Sequence, residues 1–261
     1  MKGNDNISLA GLTADMQKPT LLFQSDGHAI YWLGITEDTV FRCNVYLIKD
    51  GDEAILVDPG SRSYFRQVKS RVAQIMDPAA VNGMILCHQD PDVAASMVDW
   101  LDLCPNCKVY TSPRAQVLLP HFGISGYRWQ DIEKEPAHRM ASGRQLHFIT
   151  APFLHSPAAF ASLDAASGFL FSGDIWAALM RSWQLTVSDF EQHRTQMDIF
   201  HMDYMASNVA ARGFIARLDA LNIHAILPQH GSIISHIHVA EAFEYLRTLQ
   251  CGTDIAYPEL R

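Results

Sequence analysis

Four times in this chain a short apolar run stops and a residue able to hold a metal follows at once. Met84-Ile85-Leu86-Cys87 runs into His88-Gln89-Asp90-Pro91-Asp92, and His147-Phe148-Ile149-Thr150 into Ala151-Pro152-Phe153-Leu154-His155. Phe169-Leu170-Phe171 leads to Ser172-Gly173-Asp174, and Ala225-Ile226-Leu227 to Pro228-Gln229-His230-Gly231. Short apolar runs bounded by turn residues read as buried strands. Strand ends are where a rigid scaffold meets an open cleft, so sites gather there. One histidine beside a strand is an ordinary hydrogen-bonded or exposed residue. Four such ends in series constrain the fold to one that brings strand ends together.

The rest of the chain fits an α/β architecture. Residues 1–20 are polar and aperiodic and read as a loose N-terminal arm or a late edge strand. Ala29–Gly34, Val45–Ile48 and Ala54–Val57 read as short strands punctuated by Asp26-Gly27 and Asp50-Gly51-Asp52, the last two joined as a hairpin. Ser61–Met76 carries Tyr64, Phe65, Val68, Val72 and Ile75 near helical spacing. Gly83–Cys87 reads as a buried strand, Asp92–Leu103 as a helix, and Lys108–Thr111 as a strand. Ser112-Pro113 then opens a helix with a capping residue and proline at the first position. His121–Pro136 reads as an irregular loop, and Ala151–Ser167 as a loop between the strands Leu146–Thr150 and Gly168–Ser172. Tyr204–Leu221 has a long helical pattern, His224–Leu227 is strand-like, and Ile237–Thr248 closes with a helix. With no Pro/Ser/Gly-rich linker, this predicts one domain over residues 1–261, two packed sheets with outer helices.

Composition narrows the function classes. The formal net charge of −8 argues against a general nucleic-acid binder. No apolar run reaches the roughly 18 residues of a spanning helix. MKGNDNISLAGLTADMQKPT lacks the apolar core of a signal peptide. These features favour the cytoplasm. The five cysteines make an odd count in a chain that is not small, against a disulfide framework. Cys104-Pro-Asn-Cys107 has no second pair to complete a structural zinc site and reads as two half-buried thiols where a helix turns into Lys108–Tyr110.

The His-x-Asp-x-Asp run is the sharpest element. Two carboxylates within three residues disfavour each other's ionised form unless a cation gathers them. The alternative is a solvated turn in which Asp92 caps a helix starting near Val93.

Taken together, the four strand ends resemble the metallo-β-lactamase fold, an αββα sandwich, over roughly residues 28–250. Asp58-Pro59-Gly60, after Ala54–Val57, matches that fold's early aspartate turn, which supports the site. Within the fold the order His88, His155, Asp174, His230 is similar to the metal ligands of flavodiiron proteins. So is the stretch Tyr204-Met205-Ala206-Ser207-Asn208 ahead of Pro228-Gln229-His230-Gly231. Two positions depart from the flavodiiron run His-x-Glu-x-Asp-His: Asp90 stands for the glutamate, and Val93, which cannot ligate, for the second histidine. No flavodoxin-like segment and no phosphate-binding fingerprint is found, so no flavin is expected on this chain. The combination resembles the stand-alone oxygen-binding di-iron proteins, a branch associated with bacterial chemotaxis and signalling.

The resemblance implies that His88, Asp90 and His155 hold one iron, that Asp92 and His230 hold another, and that Asp174 and an oxo or hydroxo group bridge them. Three imidazoles and three carboxylates form a mixed N/O set that suits iron and tolerates manganese or zinc. Val93 implies an open or partly filled second position, for which His121, His138, His147 and His201 are substitute ligands by type. Tyr204 is a candidate donor to bound O2, and Tyr127 and Trp129 are candidates for a lid. The function implied is an oxygen sensor or carrier that forms a peroxo-di-iron adduct. The competing readings are an O2 or NO reductase fed by a separate electron donor and a zinc hydrolase. A chemotaxis receptor or signalling enzyme, and a second copy of the chain, are the implied partners.

Overall fold

The computed structural model describes residues 8–34 and 41–260. Its strands form two sheets. The first holds β1 (Thr20–Ser25), β2 (His28–Trp32), β3 (Tyr46–Asp50), β4 (Glu53–Val57), β5 (Gly83–Ile85), β6 (Lys108–Thr111) and β7 (Arg128–Asp131), side by side in chain order. It is antiparallel from β1 to β4 and parallel from β4 to β7. The second holds β8 (Ala137–Arg139), β9 (Gln145–Thr150), β10 (Phe160–Asp164), β11 (Phe169–Gly173) and β12 (Ala225–Pro228) in the order β12-β11-β10-β9-β8, with β11 and β12 parallel. The β1–β2 turn is Asp26-Gly27, both at positive φ, the geometry that matches a two-residue hairpin to the twist of its strands.

Parallel neighbours need crossovers, and these carry the helices. The first sheet's are α1 (Phe65–Val72), α2 (Pro91–Ala94), α3 (Met97–Leu103) and α4 (Pro113–Gln116). Between β11 and β12 lie α5 (Phe190–Tyr204) and α6 (Asn208–Leu218), and α7 (Val239–Thr248) and α8 (Thr253–Ala256) follow. Three apolar cores separate the layers. Tyr46, Ile48, Ile55, Val57 and Ile85 meet Phe148, Phe160, Phe169, Phe171 and Leu227 between the sheets. Val68, Val72, Met97 and Trp100 cover the outer face of the first sheet, and Met197, Phe200, Phe214, Ile215 and Leu246 that of the second. This is the αββα sandwich. Among the described residues no helix is long and apolar enough to cross a membrane.

The structure revises several elements. The helix expected over Asp92–Leu103 is two, α2 and α3, and the pattern Tyr204–Leu221 is the end of α5 followed by α6. The second break is chemical: Ser207 accepts from the Ala210 N–H and starts a new helix. β10 runs through the expected loop Ala151–Ser167. It is buried along its whole length, so it shows no polar–apolar alternation. β7 lies in the expected loop His121–Pro136. Of the N-terminal arm, residues 1–7 lie outside the described residues. Residues 8–19 are packed rather than loose: Leu9 is buried in the core between the sheets, Leu12, Ala14 and Met16 lie against it, and the Met16 carbonyl accepts from Arg71 at 2.5 Å. Cys104 and Cys107 are buried free thiols, and Cys104 donates to the Trp100 carbonyl.

Candidate metal centre

All six donors anticipated at the strand ends converge on one edge of the sandwich. β5 leads through Leu86 and Cys87 to His88, a path fixed by Asp58. That residue sits at φ +49° after β4, and its Oδ1 accepts the Cys87 N–H at 2.9 Å. Burial pushes the Asp58 carboxyl up to about 6. Asp90, not Asp92, stands at the N-cap of α2, with Pro91 at the first helical position. Its side chain makes no capping bond; Oδ1 accepts from Gln89 Nε2 at 2.8 Å, and Oδ2 turns inward. Ser156 donates to Gln89 Oε1 at 2.9 Å and so ties the His155 loop to the His88 loop.

Asp174 follows β11 through Gly173. At φ +57°, with the space for a Cβ only 2.7 Å from Cys87 Sγ, this position needs glycine. His230 follows β12, with its Nδ1 3.1 Å from the Arg42 carbonyl. The Nδ1 of His88 lies 3.1 Å from Cys87 Sγ. Holding Nδ1 from behind fixes each ring and presents Nε2 to the site.

Asp174 is the centre of the arrangement. Its Oδ2 lies 2.9 Å from His155 Nε2 and 3.4 Å from His88 Nε2, and its Oδ1 lies 3.5 Å from His230 Nε2. Asp90 Oδ2 is 3.4 Å from His155 Nε2 and 3.6 Å from His88 Nε2, and Asp92 Oδ2 is 3.1 Å from His230 Nε2. Donor atoms of His88, Asp90 and His155 lie within 4.8 Å of one another, as do those of Cys43, Asp92 and His230. His88 Nε2, His230 Nε2 and Asp174 Oδ1 are buried without a hydrogen-bond partner. Buried polar atoms normally make hydrogen bonds, so three that stand among carboxylate oxygens without one mark a place for cations. The donors fit a pair of metal ions, with one carboxylate oxygen of Asp174 turned to each.

The charge balance agrees. Burial would lower the His155 imidazole, but hydrogen bonds to Asp174 and Asp90 carry it up to about 10. His230 is also carried well above the usual range against its burial, chiefly by Asp92. Burial would raise Asp174, yet the surrounding imidazoles, His88 foremost, hold it at about 2. Asp90 is held far below the usual carboxylate range by His155 and His88. In the metal-free arrangement, protons on imidazoles balance the carboxylates, and a metal binds by displacing them.

The four histidines named as substitutes for the ligand lost at Val93 lie elsewhere. His138 pairs with Glu53, His121 is exposed, and His147 sits in β9. His201 is buried and accepts the Trp176 N–H at 2.9 Å. The donor that does approach is Cys43, which no strand-end pattern marks. Trp129 is held on the sheet edge through the Thr111 carbonyl, and Tyr127 packs on the helix-side core. The rings at the site are Phe41, stacked 3.9 Å from His230, and the Phe200–Tyr204 stack, with Tyr204 5.8 Å from His155 between ring centres.

Known structures share this architecture. A structure described as the peroxy diiron species of chemotaxis sensor ODP is 31% identical, with TM-score 0.82, and covers 93% of this chain and 100% of its own. The apo state of chemotaxis sensor ODP from T. denticola is 30% identical, with TM-score 0.79, covering 93% of this chain and 98% of its own. The flavodiiron protein of Giardia intestinalis, 18% identical with TM-score 0.77 over 83% of this chain and 56% of its own, shares the fold. Among curated proteins, the putative diflavin flavoprotein A 1 of Nostoc sp. is 25% identical over 80% of this chain. The chain spans about a third of that relative's length, 36%. The family model for the ODP family beta lactamases matches residues 41–231, and the chain belongs to that family.

Proposed function

We propose that this chain is a di-iron oxygen-binding protein that senses O2 in bacterial signalling. In this reading His88, Asp90 and His155 would hold one iron and Asp92 and His230 the other, with Asp174 available to both. The observation that carries it is Asp174 itself, with Oδ2 facing two imidazoles and Oδ1 a third. Two ferrous ions held there would supply the electrons for O2 binding. The protein's own groups hold that site in shape. Cys87 and the Arg42 carbonyl fix the imidazole rings, and Gln89 and Gln229 orient Asp90 and Asp92. Phe41 sets a ring beside His230, and Phe200 and Tyr204 set rings beside His155.

Similarity to the chemotaxis sensor ODP supports sensing over turnover. The described residues act as one metal-binding domain, a reading supported by the core shared between the sheets. A cytoplasmic setting follows from the same role. Output passes to a chemotaxis receptor or signalling enzyme, or through a second copy of this chain.

Anaerobic reconstitution with Fe(II), followed by exposure to O2, tests the reading. Two irons per chain and a long-lived visible absorption after O2 are expected. Rapid O2 or NO consumption with an added reductant would favour the reductase reading. Retention of zinc with exclusion of iron from iron-supplied cells would favour hydrolysis.

A further inference from the structure

The second metal position has one strand-end ligand fewer than the first. Val93 is fully buried and takes part in the core beside the first sheet, so it gives the position nothing. Cys43 belongs to the same core and is 5% exposed, and its sulfur lies within 4.8 Å of the donor atoms of Asp92 and His230. Donors sharing one ion at bond lengths of about 2.0–2.3 Å stand roughly 3–4 Å apart, so the cluster closes on a metal with small side-chain adjustments.

Backbone and side-chain bonds hold Cys43 at this place. Cys43 and His230 face each other in an isolated antiparallel bridge. The next residue locks the pairing: the Asn44 N–H donates to the Gln229 carbonyl at 2.5 Å, and its Nδ2 donates to the carbonyls of Pro228 and Gly231 at 2.9 and 3.0 Å. Trp32 Nε1 donates to Asn44 Oδ1 at 2.8 Å, so the carboxamide cannot turn away. The independent sign of a ligand is His230 Nε2, wholly buried, aimed at the same point and without a hydrogen-bond partner.

We propose that Cys43 is the third protein ligand of the second metal position, bound as thiolate. The inference rests on the two-metal reading above. On binding, the Cys43 sulfur forms one bond to the metal and its proton passes to solvent, with no change of oxidation state. The two positions then differ in kind. The first is an N/O site, and the second adds a soft sulfur that favours ions with affinity for thiolate.

Metal-free full-length protein, titrated anaerobically with Co(II) alone, tests this. The wild type is expected to take up two equivalents, one of which brings a sulfur-to-cobalt charge-transfer band in the near ultraviolet. Cys43→Ser should abolish that band and weaken one equivalent about 10–100-fold, leaving the other unchanged. Cys104→Ser, which alters the other thiol motif, should leave the band in place. X-ray absorption at the cobalt edge of the wild type needs no variant. It should show half a sulfur per cobalt, at about 2.3 Å. Two equivalents without sulfur, or a band that survives Cys43→Ser or disappears in Cys104→Ser, overturns the assignment. Fewer than two equivalents in the wild type overturns the two-metal reading, and this inference with it.

Discussion

His88, Asp90 and His155 form one half of the site; Asp92, His230 and Cys43 form the other. The first half is the more open, with the side chains of Asp90 and His155 35% and 19% exposed. The second is the more enclosed, with His230 0% and Asp92 28% exposed and Phe41 stacked on the His230 ring. The loops of the first half are joined by side-chain hydrogen bonds through Gln89 and Ser156. Those of the second are joined by backbone pairing and by Asn44. The donors of the two halves are therefore placed by different means, side-chain bonds in one and backbone pairing in the other.

The most severe way to break the comparison is to remove what the halves share. Asp174→Ala should reduce bound iron from two per chain to less than one, measured by metal analysis after anaerobic reconstitution, because each half loses a ligand. Next in size is acid. Burial lowers both His193 and His201 from 6.5 to about 4, and His201 supports the turn after Asp174. Well above pH 6.5 both are neutral in either state and add no pH dependence. Between pH 6.5 and 4 the unfolded chain takes up protons that the folded chain refuses, so stability falls as the pH drops. The loss is on the order of 3–4 kcal/mol per group when complete. Because the raised His155, His230 and Asp58 act in the opposite sense over the same range, urea unfolding of the metal-free protein at pH 7 and pH 5 reads the effect as a difference: relative to wild type, His193→Gln should gain stability on going to pH 5.

Gly173→Ala strikes the hinge beneath Asp174. A Cβ there meets Cys87 Sγ at 2.7 Å, and the backbone stays at φ +57°. The expected cost is about 2–3 kcal/mol, with a melting temperature lower by roughly 5–10 °C. Both halves should bind metal more weakly, since the bridging carboxylate moves. Asn44→Ala should do least, and to one side only. It removes bonds to Pro228 and Gly231 and leaves Trp32 Nε1 without its acceptor, about 1–2 kcal/mol by thermal unfolding. Metal titration should show the second position weakened and the first unchanged; equal weakening would erase the distinction between the halves.

The convergence of the first half was legible in the sequence because its histidines follow strands that announce themselves. His88 follows Met84–Leu86, and His155 comes after Phe148–Thr150. Asp58 was legible for the same reason, and the structure gives it the supporting role that its turn suggested. Cys43 was not, because its position depends on pairing with His230, 187 residues away, and Arg42-Cys43-Asn44 carries no pattern of its own. Its one available signal was Val93, which marked a ligand as missing without saying what replaces it. The sandwich was legible from strand–helix alternation, but β10 was not, since a strand covered on both faces loses its period. α5 escaped because its apolar positions are thinly spread, with Phe190, Met197 and Phe200 separated by polar residues.

Asp174 offers one oxygen to each half, and this has a thermodynamic consequence. Filling one position fixes a carboxylate that the other position needs, so the two occupancies are linked. Whatever factor a first ion lends to the affinity for a second is returned in equal measure. In the two-metal reading the tighter half fills first at its own affinity, so the help that Asp174 lends is felt at the weaker position.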